Sequence, residues 1–263
     1  MKPTITKITD TFYEINEGMD YGRGIIEPYV DSYLLIGSER ALVIDALQFI
    51  PDLYDVVRSL TSLPIDVLIT HGHIDHAGRS LPEFYEHGCR IYMNLTDYDL
   101  LASMVPTTRR EFFTDIRGGE LFDTGTYCLE ALPCSGHTPG SMVFLDRQHQ
   151  ILFSGDCPGS GMIWMWLECS TSVEDFSHSL DYLLHQTEGM DHLLCYGGHR
   201  YQSPVPLTRQ YLLDGVTVCN GLMDGSLHGE KITFPWHDGI ATYYETGCGQ
   251  FAHFCYDPER ILM

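Results

Sequence analysis

Residues 70–78 read Thr-His-Gly-His-Ile-Asp-His-Ala-Gly and place His71, His73, Asp75 and His76 within six positions. Neutral imidazole and carboxylate are ligands for zinc, and they also suit iron or manganese. In extended backbone, residues i and i+2 point the same way, so His71 and His73 can share one ion. Asp75 and His76 come as the chain curls onward, point away from the first pair and suit a second ion nearby. A pair of cations lowers the pKa of a water held between them, which would make a nucleophile at neutral pH. A histidine-rich turn can also be merely solvated, but four ligand-type residues so close together after an apolar strand argue against that here.

The elements around this stretch would put the ligands at a strand end. Asp66-Val-Leu-Ile-Thr70 reads as a buried strand and residues 80–87 as a helix ending at Gly88. In open α/β sheets, ligands bind at that end of a strand. Three later stretches repeat the arrangement. Strand 127–132 leads into Pro133-Cys-Ser-Gly-His137-Thr-Pro-Gly-Ser141, where small residues let the backbone approach a metal and Thr138 or Ser141 can donate hydrogen bonds. Strand 151–155 ends in Asp156, which is either a turn or cap residue or a carboxylate shared by two ions. Cys157 beside it reads as a structural thiol. Strand 192–196 ends in Gly197-Gly-His199-Arg200-Tyr201. His178, His185 and His192 read as surface or core histidines. Residues 158–171 contain Trp164 and Trp166 with Met162 and Met165, and read as an apolar loop forming a pocket wall.

The rest of the chain alternates in the same way. Strands are expected at 12–16, 30–36, 41–46, 90–93 and 142–145, with 18–28 a glycine-rich loop. Helical spacing appears at 52–62, 94–105, 172–186 (with Ser172 as N-cap) and 206–222. Residues 106–119 are a polar connection or a segment near the site. Asp45, at the end of strand 41–46, is either a partner orienting a ligating histidine or the cap of the next helix. Residues 228–263 read as a β hairpin packed on the body.

The chain has 263 residues, enough for one large domain with a full core, and neither repeats nor linkers break it. A formal charge of −21 with no basic run disfavours nucleic acid and anionic membranes as partners. Nine cysteines without a Cys-x-x-Cys pair read as free, buried thiols, Cys128 and Cys195 among them, in a reducing compartment. The N-terminus lacks an apolar signal-peptide core, and no apolar run is long enough to span a bilayer. A soluble, cytoplasmic protein acting on a small molecule is expected. A homodimer is compatible with this reading.

Taken in order, His71-x-His73-x-Asp75-His76, His137, Asp156 and His199 resemble the ligand set of the metallo-β-lactamase superfamily, especially its glyoxalase II-like metallohydrolases. The resemblance covers about residues 10–200. It implies a four-layer αββα sandwich in a single domain spanning 1–263, with the helix and hairpin of 205–263 packed on the core. It also implies a binuclear site with two zinc ions per chain. His71, His73 and His137 would bind one ion, Asp75, His76 and His199 the other, and Asp156 would bridge them. The implied activity is hydrolysis of an ester, thioester, lactone or amide such as a β-lactam. Asp75 would orient the water or shuttle its proton, and Arg200, Tyr201, Trp164 and Trp166 would bind substrate. His73 stands where di-iron oxygen reductases of the superfamily carry Glu, and Asp156 where the best-known secreted lactamases carry Cys. The tail does not resemble the helical glutathione-binding domain of glyoxalase II. Two alternatives remain: a mononuclear iron enzyme of the persulfide dioxygenase type using His71, His137 and Asp156, and a non-catalytic metal-binding protein.

Overall fold

The computed structural model describes residues 2–20, 22, 24–50, 52–203, 205–236 and 239–262. The first half of the chain forms a seven-stranded sheet in sequential order β1-β2-β3-β4-β5-β6-β7. Its strands are β1 (Thr4–Lys7), β2 (Phe12–Asp20), β3 (Ile26–Ile36), β4 (Ala41–Ile44), β5 (Ile65–Leu68), β6 (Arg90–Met93) and β7 (Phe113–Asp115). The first four are antiparallel neighbours, and β4 through β7 run parallel. Every residue of β4 and β5 is buried, as expected of parallel strands covered on both faces. The one charge on β5, Asp66, is met by Arg40 at 2.5 Å and Arg90 at 2.6 Å.

A second sheet has the order β14-β13-β11-β10-β9-β8. It comprises β8 (Leu121–Asp123), β9 (Cys128–Pro133), β10 (Met142–Asp146), β11 (Ile151–Gly155), β13 (Leu194–Gly197) and β14 (Leu207–Thr208). The inner faces of the two sheets share one core, in which Phe12, Leu35, Ile44 and Leu68 of the first meet Leu129, Phe144 and Phe153 of the second. Helices α1 (Leu53–Leu60), α2 (Leu81–Glu86) and α3 (Tyr98–Met104) cover the outside of the first sheet through Leu53, Val57, Phe84 and Leu101. Helices α4 (Val173–Gln186) and α5 (Arg209–Met223) cover the outside of the second through Phe176, Leu180, Leu183, Tyr211 and Val218. The layers are therefore helix, sheet, sheet, helix, the αββα arrangement expected from the motifs.

Helix α4 starts where its sequence says it should. Ser172 and Asp175 form a reciprocal capping box, and Phe176, Leu180 and Leu183 bury one stripe.

Four expectations need correction. Residues 18–28 are not one loop, because β2 continues to Asp20 and β3 begins at Ile26. One of the glycines that suggested a loop, Gly18, sits at a register shift where a Cβ would come within 2.4 Å of Ile26. Within 106–119, β7 extends the first sheet by pairing with β6, so that segment is a connection built into the sheet. Cys128 is exposed at the start of β9, whereas Cys195 is buried, and all nine cysteines are free.

The fourth correction concerns the C-terminus. It is not a hairpin but most of a third sheet of order β12-β17-β16-β15. Its strands are β12 (Met162–Met165), β15 (Glu230–Trp236), β16 (Gly239–Cys248) and β17 (Phe251–Tyr256). The Met/Trp stretch expected as a loop is thus partly a strand, paired in parallel with β17. No helix among the described residues is long and apolar enough to cross a membrane.

Candidate metal centre

All seven expected ligands lie beyond strand ends along one edge of the sandwich. His71, His73, Asp75 and His76 follow β5, His137 lies between β9 and β10, Asp156 follows β11 and His199 follows β13. Contacts across the two sheets lock this edge together. The Asp31 N–H donates to the Gly198 carbonyl at 2.7 Å, and Met142 N–H to that of Thr70 at 2.8 Å. The Tyr33 hydroxyl donates to the Gly197 carbonyl at 2.6 Å.

The side chains converge as two triads. In the first, His73 Nδ1 lies 3.0 Å from His71 Nε2 and 2.8 Å from His137 Nε2. In the second, Asp75 Oδ2 lies 3.4 Å from His199 Nε2 and 3.9 Å from His76 Nε2. Asp156 stands between them. Its Oδ1 is 3.4 Å from His76, and its Oδ2 is 3.7 Å from His137 and 3.3 Å from His199. In each triad the donor atoms lie within 4.8 Å of one another, as they do in a further set of His71, His76 and Asp156.

The outer nitrogens decide which atoms face inward. His76 Nδ1 donates to Asp45 at 2.8 Å, His137 Nδ1 to the Trp164 carbonyl at 2.7 Å, and His199 Nδ1 to the Tyr29 carbonyl at 2.5 Å. These bonds leave Nε2 of all three rings pointing into the site, which is how second partners orient metal-binding histidines. Among the described residues, His76 Nε2 and Asp156 Oδ1 are buried without any hydrogen-bond partner. Buried polar atoms are normally paired, so this orphaned donor set fits metal ions. Neutral nitrogens with carboxylate oxygens suit zinc, iron or manganese.

The two triads differ electrostatically. Burial, helped by neighbouring histidines, holds His71 far below the usual imidazole range and His73 down at about 3. Those rings stay neutral and offer lone pairs. Burial opposes charge on His76 and His199 too, but Asp156 and Asp75 outweigh it and push both well above the ordinary value. Burial likewise disfavours ionised Asp75 and Asp156, yet His76 and His199 hold both below the carboxylate range. Without an ion, protons on His76 and His199 supply the positive charge there.

Three residues support the site from behind: Asp45, for which the sequence left two roles open, and Asp97 and Tyr29, which the sequence did not single out. Asp45 does not cap α1, which begins eight residues later. It accepts from His76 Nδ1, from Thr70 N–H at 2.8 Å and from the Thr70 hydroxyl at 2.8 Å. Asp97 is buried between the two ligand turns and accepts from Gly72 N–H at 3.0 Å, Gly140 N–H at 2.7 Å and the Thr138 hydroxyl at 2.5 Å. Tyr29 donates its hydroxyl to Asp75 Oδ2 at 3.1 Å besides accepting from His199. Glycine marks the tightest approaches. A Cβ at Gly72 would meet Asp97 at 2.6 Å, and one at Gly198 would meet His76 at 2.2 Å.

The expected substrate residues fare differently. The Arg200 guanidinium is committed to Glu14 and lies over the Tyr196 ring, 5.5 Å from its centroid. Its backbone N–H, held by Asp31 at 2.8 Å, secures the His199 turn instead. Tyr201 is exposed, with its ring 6.2 Å from that of His199. Trp164 and Trp166 are half-buried and pack on each other at 5.7 Å. Cys169 Sγ lies 3.6 Å from the outward Nε2 of His73, a contact not anticipated from sequence. Cys157 is buried, 3.5 Å from the sulfur of Cys134. His178, His185 and His192 are on the surface.

Comparison with known proteins agrees with this geometry. The family model described as metallo-beta-lactamase superfamily matches residues 26–199. The acyl-coenzyme A thioesterase MBLAC2 of Gallus gallus is 29% identical over 183 residues, which are 58% of this chain and 65% of that protein. The atrochrysone carboxyl ACP thioesterase nsrC of Aspergillus novofumigatus is 29% identical over 130 residues, 48% of this chain and 37% of that protein. The chain thus spans less than two thirds of the length of either relative. A solved metallo-beta-lactamase from Pontibacter korlensis superposes with a TM-score of 0.64 at 18% identity, covering 82% of this chain and 98% of that one, which establishes a shared fold. The chain belongs to the metallo-beta-lactamase superfamily.

Proposed function

We propose that this chain is a two-metal hydrolase of small-molecule acyl thioesters, with zinc at both positions. The observation that carries the reading is the pair of ligand triads facing each other across Asp156, with His76 Nε2 and Asp156 Oδ1 buried and unpartnered. His71, His73 and His137 would hold one ion, Asp75, His76 and His199 the other, and Asp156 both. Such an ion pair supplies a water acidic enough to be hydroxide near neutral pH, and a field that polarises a carbonyl.

The chain's own residues position the rest. Asp45, Trp164 and Tyr29 fix the rings of His76, His137 and His199. Asp75 would orient the attacking water or shuttle its proton, and the Tyr29 hydroxyl, which donates to Asp75 Oδ2 at 3.1 Å, would steady that oxygen. Attack on the thioester carbon breaks the C–S bond. The carboxylic acid so formed would give its proton to the departing thiolate, so that a carboxylate and a thiol leave. A thioester is favoured among acyl substrates because both relatives named above are thioesterases. The persulfide dioxygenase alternative would use only His71, His137 and Asp156 and leaves the complete second triad without a task.

The test is hydrolysis of S-acetyl-N-acetylcysteamine, followed by thiol release. Activity should vanish with a chelator, return with zinc, and fall by at least about a thousandfold in His73→Ala. Turnover that survives both chelation and His73→Ala would overturn the reading. So would sulfite production from glutathione persulfide with iron and no thioester cleavage.

A further inference from the structure

The third sheet has two unlike faces. Side chains alternate along a strand. Ile163, Met165, Phe254 and Tyr256 point into the core shared with α4 and α5. The strand registers place Trp164, Phe234, Trp236 and Tyr243 on the opposite face. Trp166, just beyond β12, joins them. Its ring lies 5.7 Å from Tyr243, 5.8 Å from Phe234 and 5.6 Å from Trp236, and Trp164 lies 5.4 Å from Trp236. All five are half-buried. Three of them stand at 234–243, beyond the residues matched by the family model.

Two observations point to a ligand on this face. The wall is fixed to the metal centre, because the Trp164 carbonyl accepts from His137 Nδ1 and the Ser170 hydroxyl donates to the carbonyls of both residues, at 3.0 and 3.3 Å. In addition, Trp166 Nε1 is buried within the cluster with no acceptor among the described residues. An indole N–H in that position normally has one. Rings that already meet edge-on and stacked offer further stacking to a flat guest. The far end is polar, with Tyr243 Oη donating to Glu245 and Glu245 paired to His253 at 2.7 Å.

We infer that this aromatic face binds the acyl group of the substrate, and that the preferred acyl group is flat and aromatic with a hydrogen-bond acceptor for Trp166 Nε1. The inference rests on the thioesterase reading and adds the substrate class. The face would hold the acyl group beside the first triad and set which thioesters react fastest.

The experiment compares S-(6-methoxy-2-naphthoyl)-N-acetylcysteamine, whose ether oxygen can accept from Trp166 Nε1, with S-acetyl-N-acetylcysteamine, each kcat/KM divided by the rate of uncatalysed hydroxide hydrolysis. The zinc-loaded wild type should favour the naphthoyl ester roughly tenfold or more. In Trp236→Ala and in Phe234→Ala the ratio should fall to within about threefold of one, and Trp236→Phe should restore most of it. A ratio near one in the wild type, or one unchanged in both alanine variants, overturns the inference. So does sedimentation showing that the variants dissociate a dimer while the ratio stays the same, since the face would then be a contact between copies. If the wild type cleaves no thioester, the thioesterase reading fails by itself. Quenching of tryptophan fluorescence by 2-naphthoate, weakened at least fivefold in Phe234→Ala, would still support the aromatic subsite, and no quenching would refute it.

Discussion

Asp97→Ala is the change that most directly loosens the frame of the centre without touching a ligand. Its carboxylate is buried and accepts three hydrogen bonds, from Gly72 N–H between His71 and His73 and from Thr138 and Gly140 just after His137. Each donor stranded in the interior costs about 1–3 kcal/mol. Removing the buried charge offsets part of this, since burial alone raises the Asp97 carboxyl above its ordinary range. The remainder is about 3–5 kcal/mol, or roughly a 6–20 °C drop in Tm for a chain of this size. Asp97→Asn keeps one acceptor oxygen and should lose about half as much. The sign of the pH effect follows from the raised carboxyl. Its contribution is fully present below the unfolded value and diminishes as pH rises through the folded value, so the variant's deficit should shrink with rising pH. Calorimetry in a chelator measures the structural loss. Repeating it with zinc should show a smaller metal-dependent rise in Tm than in the wild type, because both turns of the first triad are released. A variant within about 1 kcal/mol of wild type in chelator, with an unchanged zinc-dependent rise, would refute the reasoning.

The second triad should announce itself through protons. Zinc binding at neutral pH should release about two protons per chain from the raised His76 and His199, and up to one more from the metal-held water, whereas His71 and His73 are already neutral. Titration calorimetry in buffers of different ionisation enthalpy reads this directly, and a buffer-independent heat would contradict it. Gly198→Ala should weaken the second ion at least tenfold in a chelator competition, since its Cβ would fall 2.2 Å from His76 and 2.8 Å from Asp156; unchanged affinity would show that the turn yields freely. Metal-stripped protein should lose stability in both pH directions. On the acid side, His71 and His73 contribute stability above about pH 6.5 that disappears as pH falls toward their lowered folded values, about 3 for His73. On the alkaline side, the contribution of His76 and His199 is lost as pH rises through their raised folded values. Urea midpoints across pH that change in only one direction would contradict this pair of signs.

The seven candidate ligands were legible because each stands in a short motif at the end of an apolar strand. Strand periodicity and turn chemistry are local, whereas the αββα layering was expected only through the resemblance that the motifs carry. Asp97 was not legible. It lies in a helical stretch and gains meaning only when two turns 66 residues apart, at Gly72 and Thr138, fold against it. Tyr29 falls between the expected glycine-rich loop 18–28 and the expected strand 30–36, and its role depends on His199, 170 residues away. Met162–Met165 resembled an apolar loop because its partner, β17, lies some 90 positions downstream and pairs in parallel. Local sequence carries no sign of such a partner. Arg200 was expected to bind substrate, but Glu14 on β2 takes its guanidinium.

Metal content tests the central claim most directly. Protein purified without added metal, or stripped and reloaded with zinc, should hold about two ions per chain by elemental analysis, and His199→Ala about one, with the remaining ion in the triad of His71, His73 and His137. A single iron per chain in the wild type, or a count that His199→Ala leaves unchanged, would contradict the two-metal account.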